Sequence, residues 1–218
     1  MKPTIKIDYV SDIACPWCAV GLGNLNKAIA EFNDKANFEV HFQPFELNPN
    51  MPIGGQDALE HLTEKYGLSA EQVKSNQDQI RAKALEAGFQ FDPDGRKRVY
   101  NTFNAHRLLY WAAKEFDLKK QAILKKELLN TYFCLASNLD DERNILDAVT
   151  RSGLDEERAH QILSGDEFAK EVRGKEENYK NLGIHSVPSI ILNDQFLLQG
   201  AQSPETFISA FKRLIKEN

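Results

Sequence analysis

Thr4-Ile5-Lys6-Ile7-Asp8-Tyr9-Val10 runs into Cys15-Pro16-Trp17-Cys18, and Ala19 to Phe32 follows with a helical pattern. The β-branched, alternating first run reads as a strand. A helix N-terminus presents unpaired N–H groups and a partial positive charge, and that field favours a thiolate at Cys15. The thiolate is the nucleophile of disulfide exchange. Pro16 suits the first helical turn, where its missing N–H costs little. Strand, C-x-x-C, helix is far more specific than the two cysteines alone.

The remaining organisation is read outward from that unit. Phe38 to Phe45 (FEVHFQPF) is a second strand, completing β-α-β. Pro49, Pro52, Gly54 and Gly55 mark a loop over Glu46–Gln56. From Asp57 to about Asn181 the pattern is helix after helix. Ser69-Ala-Glu-Gln72 has the form of a capping box, opening a helix that ends near Gly88. Val99, Phe103, His106, Leu109 and Tyr110 share a helical face, and Asp117 caps the next helix. Asp141–Ser152, Asp155–Leu163 and Asp166–Leu182 are three shorter helical runs. Strand signal returns at Ser189–Leu192 (SIIL) and Phe196–Gln199 (FLLQ), joined by Asn193-Asp194-Gln195 as a hairpin. Ser203-Pro204 opens a last helix through Lys216. The expected fold is α/β: a thioredoxin-like sheet from residues 1–50 and 183–218, with an all-helical domain (57–182) inserted between its βαβ and ββα halves. An insert with its own packed core adds little loop entropy.

That order predicts a cis-proline beside the cysteines, before the returning hairpin, and Val187-Pro188 stands there. Cis X-Pro bonds cost little compared with other cis bonds. The backbone N–H and C=O of Val187 are then expected to be free to pair with an extended ligand by strand addition.

Five segments together resemble the DsbA-like thioredoxin-fold family, FrnE subgroup. They are Ser11-Asp12-x-x-Cys-Pro-Trp-Cys-x-x-Gly21, Phe42-x-Pro-Phe45-Glu-Leu-Asn-Pro49, Asn101-Thr-Phe-Asn-Ala105-His106-Arg-Leu108, Leu182-Gly-Ile-x-Ser-Val-Pro188 and Gly200-Ala201-Gln202. The resemblance implies a cytoplasmic thiol–disulfide oxidoreductase with Cys15 attacking, Cys18 resolving and Pro188 as the cis-proline. Family members often read Gly-Val-Pro before that proline, where this chain has Ser186.

Other residues are weighed against that site. Pro16, Trp17, Val187 and Pro188 are expected to contact substrate. Trp17 has no imidazole to hydrogen-bond a thiolate, so a pair milder than the strongest family oxidants is expected. His106, on an apolar helix face, and His185, three residues before Pro188, are candidates for the cleft. Tyr9 occupies the position where such folds often bury an acid, and Asp8 and Asp12 are left unassigned. Cys134, in an apolar helical run, is read as a buried inert thiol. Gly21-Leu-Gly23 lacks the third glycine of a dinucleotide fingerprint. One C-x-x-C with scattered histidines does not make a tetrahedral zinc set, so no metal is expected.

Composition bounds the rest. Of 218 residues, 27% are charged and 42% hydrophobic, with a net charge of −5. Nothing here is the basic footprint of a nucleic-acid or anionic-membrane binder. Three cysteines are too few for a secreted disulfide scaffold. Met1-Lys2 leads directly into the strand-like run, unlike an apolar leader. The expectation is a soluble cytoplasmic protein with no cofactor beyond the Cys15–Cys18 disulfide, exchanging with protein, peptide or small thiols and with glutathione as a candidate co-substrate. The alternative is a glutathione-using isomerase or transferase of the kappa-class/2-hydroxychromene-2-carboxylate isomerase type. The resemblance gives those relatives serine at the first active position, which weighs against it. Direction of electron flow and oligomeric state do not follow from sequence.

Overall fold

A computed structural model describes residues 2–94 and 96–217. Strand β1 (Thr4–Ser11) is followed by helix α1 (Pro16–Phe32) and strand β2 (Asn37–Pro44). Helices α2 (Ala58–Tyr66) and α3 (Ala70–Glu86) come next, then α4 (Phe103–Glu115) and α5 (Leu118–Leu129), the latter running into a π-helical turn at Asn130–Cys134. Helices α6 (Glu142–Arg151), α7 (Glu156–Ser164) and α8 (Ala169–Asn181) precede strands β3 (Ser189–Leu192) and β4 (Phe196–Gln199) and the final helix α9 (Pro204–Glu217). A short ribbon of Gln56–Asp57 against Arg98–Val99 ties the start of α2 to the approach of α4.

The main sheet has the order β2-β1-β3-β4. β1 pairs in parallel with β2, as a β-α-β crossover requires, and antiparallel with β3. β1 is therefore central, and six of its eight residues are buried on two covered faces. Asn193 and Asp194 have positive φ at the β3–β4 turn, the left-handed geometry that twist-matched hairpin turns use. α1 and α9 cover the sheet, where Phe32, Phe207 and Phe211 are buried together and Phe38 stacks 4.8 Å from Phe211. Gly23 lets α1 approach α3 closely: a Cβ there would lie 2.1 Å from the Ala87 carbonyl oxygen.

Local signals explain the element boundaries. The Ser69–Gln72 capping box is formed at α3, and the side chains of Asp57, Asp117, Asp141 and Asp155 cap α2, α5, α6 and α7. The stretch from 57 to about 181 differs from the all-helical expectation by the Gln56–Asp57/Arg98–Val99 ribbon. Two residues per strand leave no alternation to read, and the Arg98 guanidinium holds the pair by donating to the carbonyls of Gly54 and Gly55. One hydrophobic cluster runs from Ile5, Ile7 and Tyr9 of the sheet to Leu108, Leu128 and Ile145 of the helices.

β2 is an edge strand, and α5 covers its open side. Gln121 accepts from the Phe42 N–H (3.0 Å) and donates to the carbonyls of Phe42 (3.0 Å) and Leu109 (3.1 Å). One amide thus satisfies backbone groups that an uncovered edge would expose, and it sets the position of α5 over the cysteine end of α1.

Candidate active site

Cys15 is the N-cap of α1, with Pro16 in the first turn and extended backbone at Cys15 (φ −94°, ψ 111°). The Cys18 N–H of the first helical turn acts on the Cys15 thiol and helps lower its pKa. The Cys18 N–H bonds back to the Cys15 carbonyl at 3.1 Å. Both thiols are free and buried, Cys15 at 4% exposure and Cys18 at 0%. The two are not equivalent. A hydrogen bond from Cys18 to the Cys15 sulfur, opposed by burial and assisted by Arg96, holds the Cys15 thiol below its ordinary range. Burial and the neighbouring Cys15 charge push Cys18 well above its own. Cys15 is therefore the thiol favoured to ionise first.

Across from it the Val187–Pro188 bond is cis, and the Val187 carbonyl oxygen lies 3.6 Å from the Cys15 sulfur. Expected to be free, that carbonyl is met by Cys15 here. Pro188 is buried behind Val187, and the Gly200 N–H donates to its carbonyl at 2.8 Å. Gly21 makes room for the junction: a Cβ would lie 2.7 Å from the Tyr9 hydroxyl and 3.3 Å from Pro188.

Cys15, Pro16, Trp17 and Val187 open onto a cavity of about 890 Å³ between the sheet end and the α2–α3 pair, within the range of small-ligand sites. Its walls are largely apolar (Phe45, Leu62, Val73, Ile80, Phe91, Phe133), and Trp17 is 40% exposed at its mouth. Lys65, Arg81, Arg96 and Lys180 line it against Glu46 and Asp92. Arg96 is fixed near the nucleophile by donating to the Ala14 carbonyl at 2.5 Å and by stacking 5.7 Å from Tyr132 and 5.6 Å from Phe133. His185 is on the cavity wall. His106 is not: it is 2% exposed and lies beneath the site, beside a smaller hollow of about 210 Å³. His106 thus lies apart from the cysteine cavity, on a hollow between β2 and α4 that Leu109 also lines.

What His106 meets is Asp12. The Asp12 carboxylate accepts from the Thr102 hydroxyl (2.7 Å), the Leu47 N–H (2.7 Å) and the Ala14 N–H (3.2 Å), with His106 Nε2 at 3.4 Å. Burial raises its pKa, but the His106, Leu47 and Thr102 interactions outweigh that and hold the carboxyl below its ordinary range. Asp12 is thus a buried anion behind the cysteines. The Tyr9 hydroxyl donates to the Cys18 carbonyl at 2.8 Å, so Tyr9 supports the site through a neutral hydroxyl. Lys125 of α5 is also buried here and interacts with Cys18, Asp12 and Cys15. Asp12, Thr102, Arg96 and Lys125 were not assigned from sequence: Arg96 stands in a charged stretch, Thr102 between polar and aromatic neighbours and Lys125 beside Lys126, where nothing local marks a site residue. Cys134, read as buried, is half-buried, with its thiol raised by burial. It closes the π-helical turn and packs against the edge of the main hydrophobic cluster.

A cysteine pair at the N-terminus of α1, opposite a cis-proline loop on a four-stranded mixed sheet, defines a thioredoxin-like dithiol site. The model of the DSBA-like thioredoxin domain matches residues 6–212, and the chain belongs to that family. A structure described as a "probable DsbA oxidoreductase" from Streptomyces coelicolor is 31% identical, with 98% of this chain and 91% of that chain covered and a TM-score of 0.90. A 2-hydroxychromene-2-carboxylate isomerase shares the fold at 16% identity (98% and 97% covered, TM-score 0.71). So does a cytosolic disulfide reductase, DsbM, from Pseudomonas aeruginosa with GSH, at 16% identity (97% and 99% covered, TM-score 0.61). No curated protein sequence matches the chain significantly. Among the described residues no helix is long and apolar enough to cross a membrane.

Proposed function

We propose that the chain is a thiol–disulfide oxidoreductase of the FrnE subgroup, acting in the cytoplasm through Cys15 and Cys18. The observation that carries this reading is the asymmetry of the two thiols: Cys15 lowered and open to the cavity, Cys18 raised and sealed beneath it. The Cys15 thiolate attacks one sulfur of a substrate disulfide, forming a mixed disulfide and releasing the first substrate thiolate. Cys18 then attacks the Cys15 sulfur, giving the Cys15–Cys18 disulfide and the second substrate thiolate. Two electrons pass from enzyme to substrate, and the reverse sequence oxidises a dithiol. Pro16, Trp17, Val187 and Pro188 form the substrate contact region in this reading. Protein and small thiols are the partners, and the cations Lys65, Arg96 and Lys180 favour an anionic thiol such as glutathione as co-substrate.

The test is trapping. Cys18→Ser is expected to accumulate mixed disulfides with cellular thiols, and Cys15→Ser to accumulate none. Full disulfide-exchange activity in both variants overturns the reading. The isomerase alternative rests on fold likeness, and cysteine at both positions weighs against it. Isomerase or conjugation activity persisting in the double cysteine variant is the result that would revive it.

A further inference from the structure

Lys125 is a fully buried lysine whose Nζ has no hydrogen-bond partner among the described residues. Burying an unpaired ammonium costs several kcal/mol, and an apolar side chain of similar volume would fill the same space without that cost. Packing therefore does not account for a lysine. Its placement is exact in register: Gln121 clamps α5 to Phe42 of β2, and Lys125, one turn on, lies on the same face. That face is fixed on Phe42, the parallel-strand partner of Tyr9, and Tyr9 in turn reaches the Cys18 carbonyl; the charges acting on Lys125 are Cys18 first, then Asp12 and Cys15. Asp12 is already held by His106 from α4 and by Thr102 before it, and Tyr9 from β1 is spent on the Cys18 carbonyl.

We propose that Lys125 is the charge partner of the Cys18 thiolate, stabilising it at the moment Cys18 attacks the mixed disulfide on Cys15. The role rests on the exchange reading above. In the dithiol protein Cys18 is held protonated by burial, by its hydrogen bond to Cys15 and by the Cys15 charge. Once Cys15 is bonded to a substrate sulfur, the last two influences vanish. What remains in favour of a Cys18 thiolate is the Lys125 charge and the Asp12 N–H. Cys18 gives up its proton to solvent water, its thiolate forms the bond to the Cys15 sulfur, and the Cys15–substrate sulfur bond breaks with the electron pair leaving on the substrate thiolate. Burial lowers the Lys125 pKa and the Cys18, Asp12 and Cys15 charges offset part of that, leaving it at about 8, so the ammonium is the favoured form at neutral pH.

The experiment is a stopped-flow titration of full-length reduced protein, with Cys134→Ser to silence the third thiol, against one equivalent of the aromatic disulfide of thionitrobenzoate. The first chromophore released reports Cys15 attack and the second reports Cys18. In Lys125→Met the first phase is expected to change far less than the second, which slows about tenfold at neutral pH with its pH profile moved up by about one unit. The melting temperature should stay level or rise, because an unpaired charge has been removed. A second phase unchanged in rate and pH profile overturns the proposal, as does equal slowing of both phases with a lowered melting temperature. Should the Met variant not fold, the wild-type profile decides. A second-phase midpoint at or below the ordinary thiol value of about 8.5 supports the role, and one clearly above it overturns it. Second-equivalent release that persists in Cys18→Ser is a different result: it removes the exchange reading, and this role with it.

Discussion

Asp12 shows how much a single buried charge can organise. It accepts from the backbone of Ala14 beside the cysteine turn, from that of Leu47 in the loop after β2, and from Thr102, 90 positions away. Its negative charge also acts on Cys15, raising that thiol against the Cys18 hydrogen bond. Asp12→Asn is therefore expected to make Cys15 more acidic, read as a downward shift in the ultraviolet thiolate titration. The same variant should change stability with the opposite sense. The folded carboxyl lies below its ordinary value, so ionised Asp12 contributes stability above the unfolded pKa and loses it as pH falls through the folded one. Asp12→Asn should flatten the acid limb of the melting curve and cost about 2–3 kcal/mol at neutral pH, since hydrogen bonds to a charged acceptor are lost. A thiol titration that stays put would remove Asp12 from the electrostatics of the pair.

At the scale of elements, α1 carries the site and two glycines seat it. Gly23 faces the Ala87 carbonyl, a backbone atom that cannot rotate away. Gly23→Ala is expected to force α1 and α3 apart, costing about 1–3 kcal/mol as overpacking and loosening the cavity they share. Gly174 on α8 provides the contrast, with nothing within 4 Å of an added Cβ. There, alanine should stabilise by about 0.8–1 kcal/mol through helix propensity alone. Chemical denaturation of both variants checks the pair, and equal effects would refute the steric account. α1, α3, α5 to α7, α9 and the β3–β4 hairpin were legible because their caps, prolines and periodicity are local. The Gln56–Asp57/Arg98–Val99 ribbon and the π-helical turn were not. Each depends on a partner distant in sequence, such as Arg98 reaching back to Gly54 and Gly55.

Across the whole molecule, α8 docks on the end of β2 through charge. Glu46 and Glu176 are buried side by side and share Arg173, whose guanidinium also stacks 3.7 Å from the Phe103 ring. One oxygen of each carboxyl has no partner among the described residues. Burial and the Glu176 charge raise the Glu46 pKa to about 7, against the pull of Arg173. A raised carboxyl favours folding while protonated, so this contribution is lost as pH climbs from about 4.5 through about 7. Glu46→Gln should flatten stability across that window, seen as melting temperature against pH. A slope unchanged from wild type would show that the pair does not titrate there.

The order β-α-β, helices, β-β-α and the Cys15–Cys18 pair at a helix start were decided within short stretches, where periodicity and capping act between neighbours in the chain. The chemistry behind the pair was not. Asp12, Thr102, His106 and Lys125 come from separate elements, and in the unfolded chain each is an ordinary solvated polar residue. Folding removes their water and leaves them one another, the two sulfurs and the Ala14 and Leu47 N–H groups as partners. Their interactions become strong because burial lowers the local dielectric, and burial is a property of the packed molecule rather than of any segment.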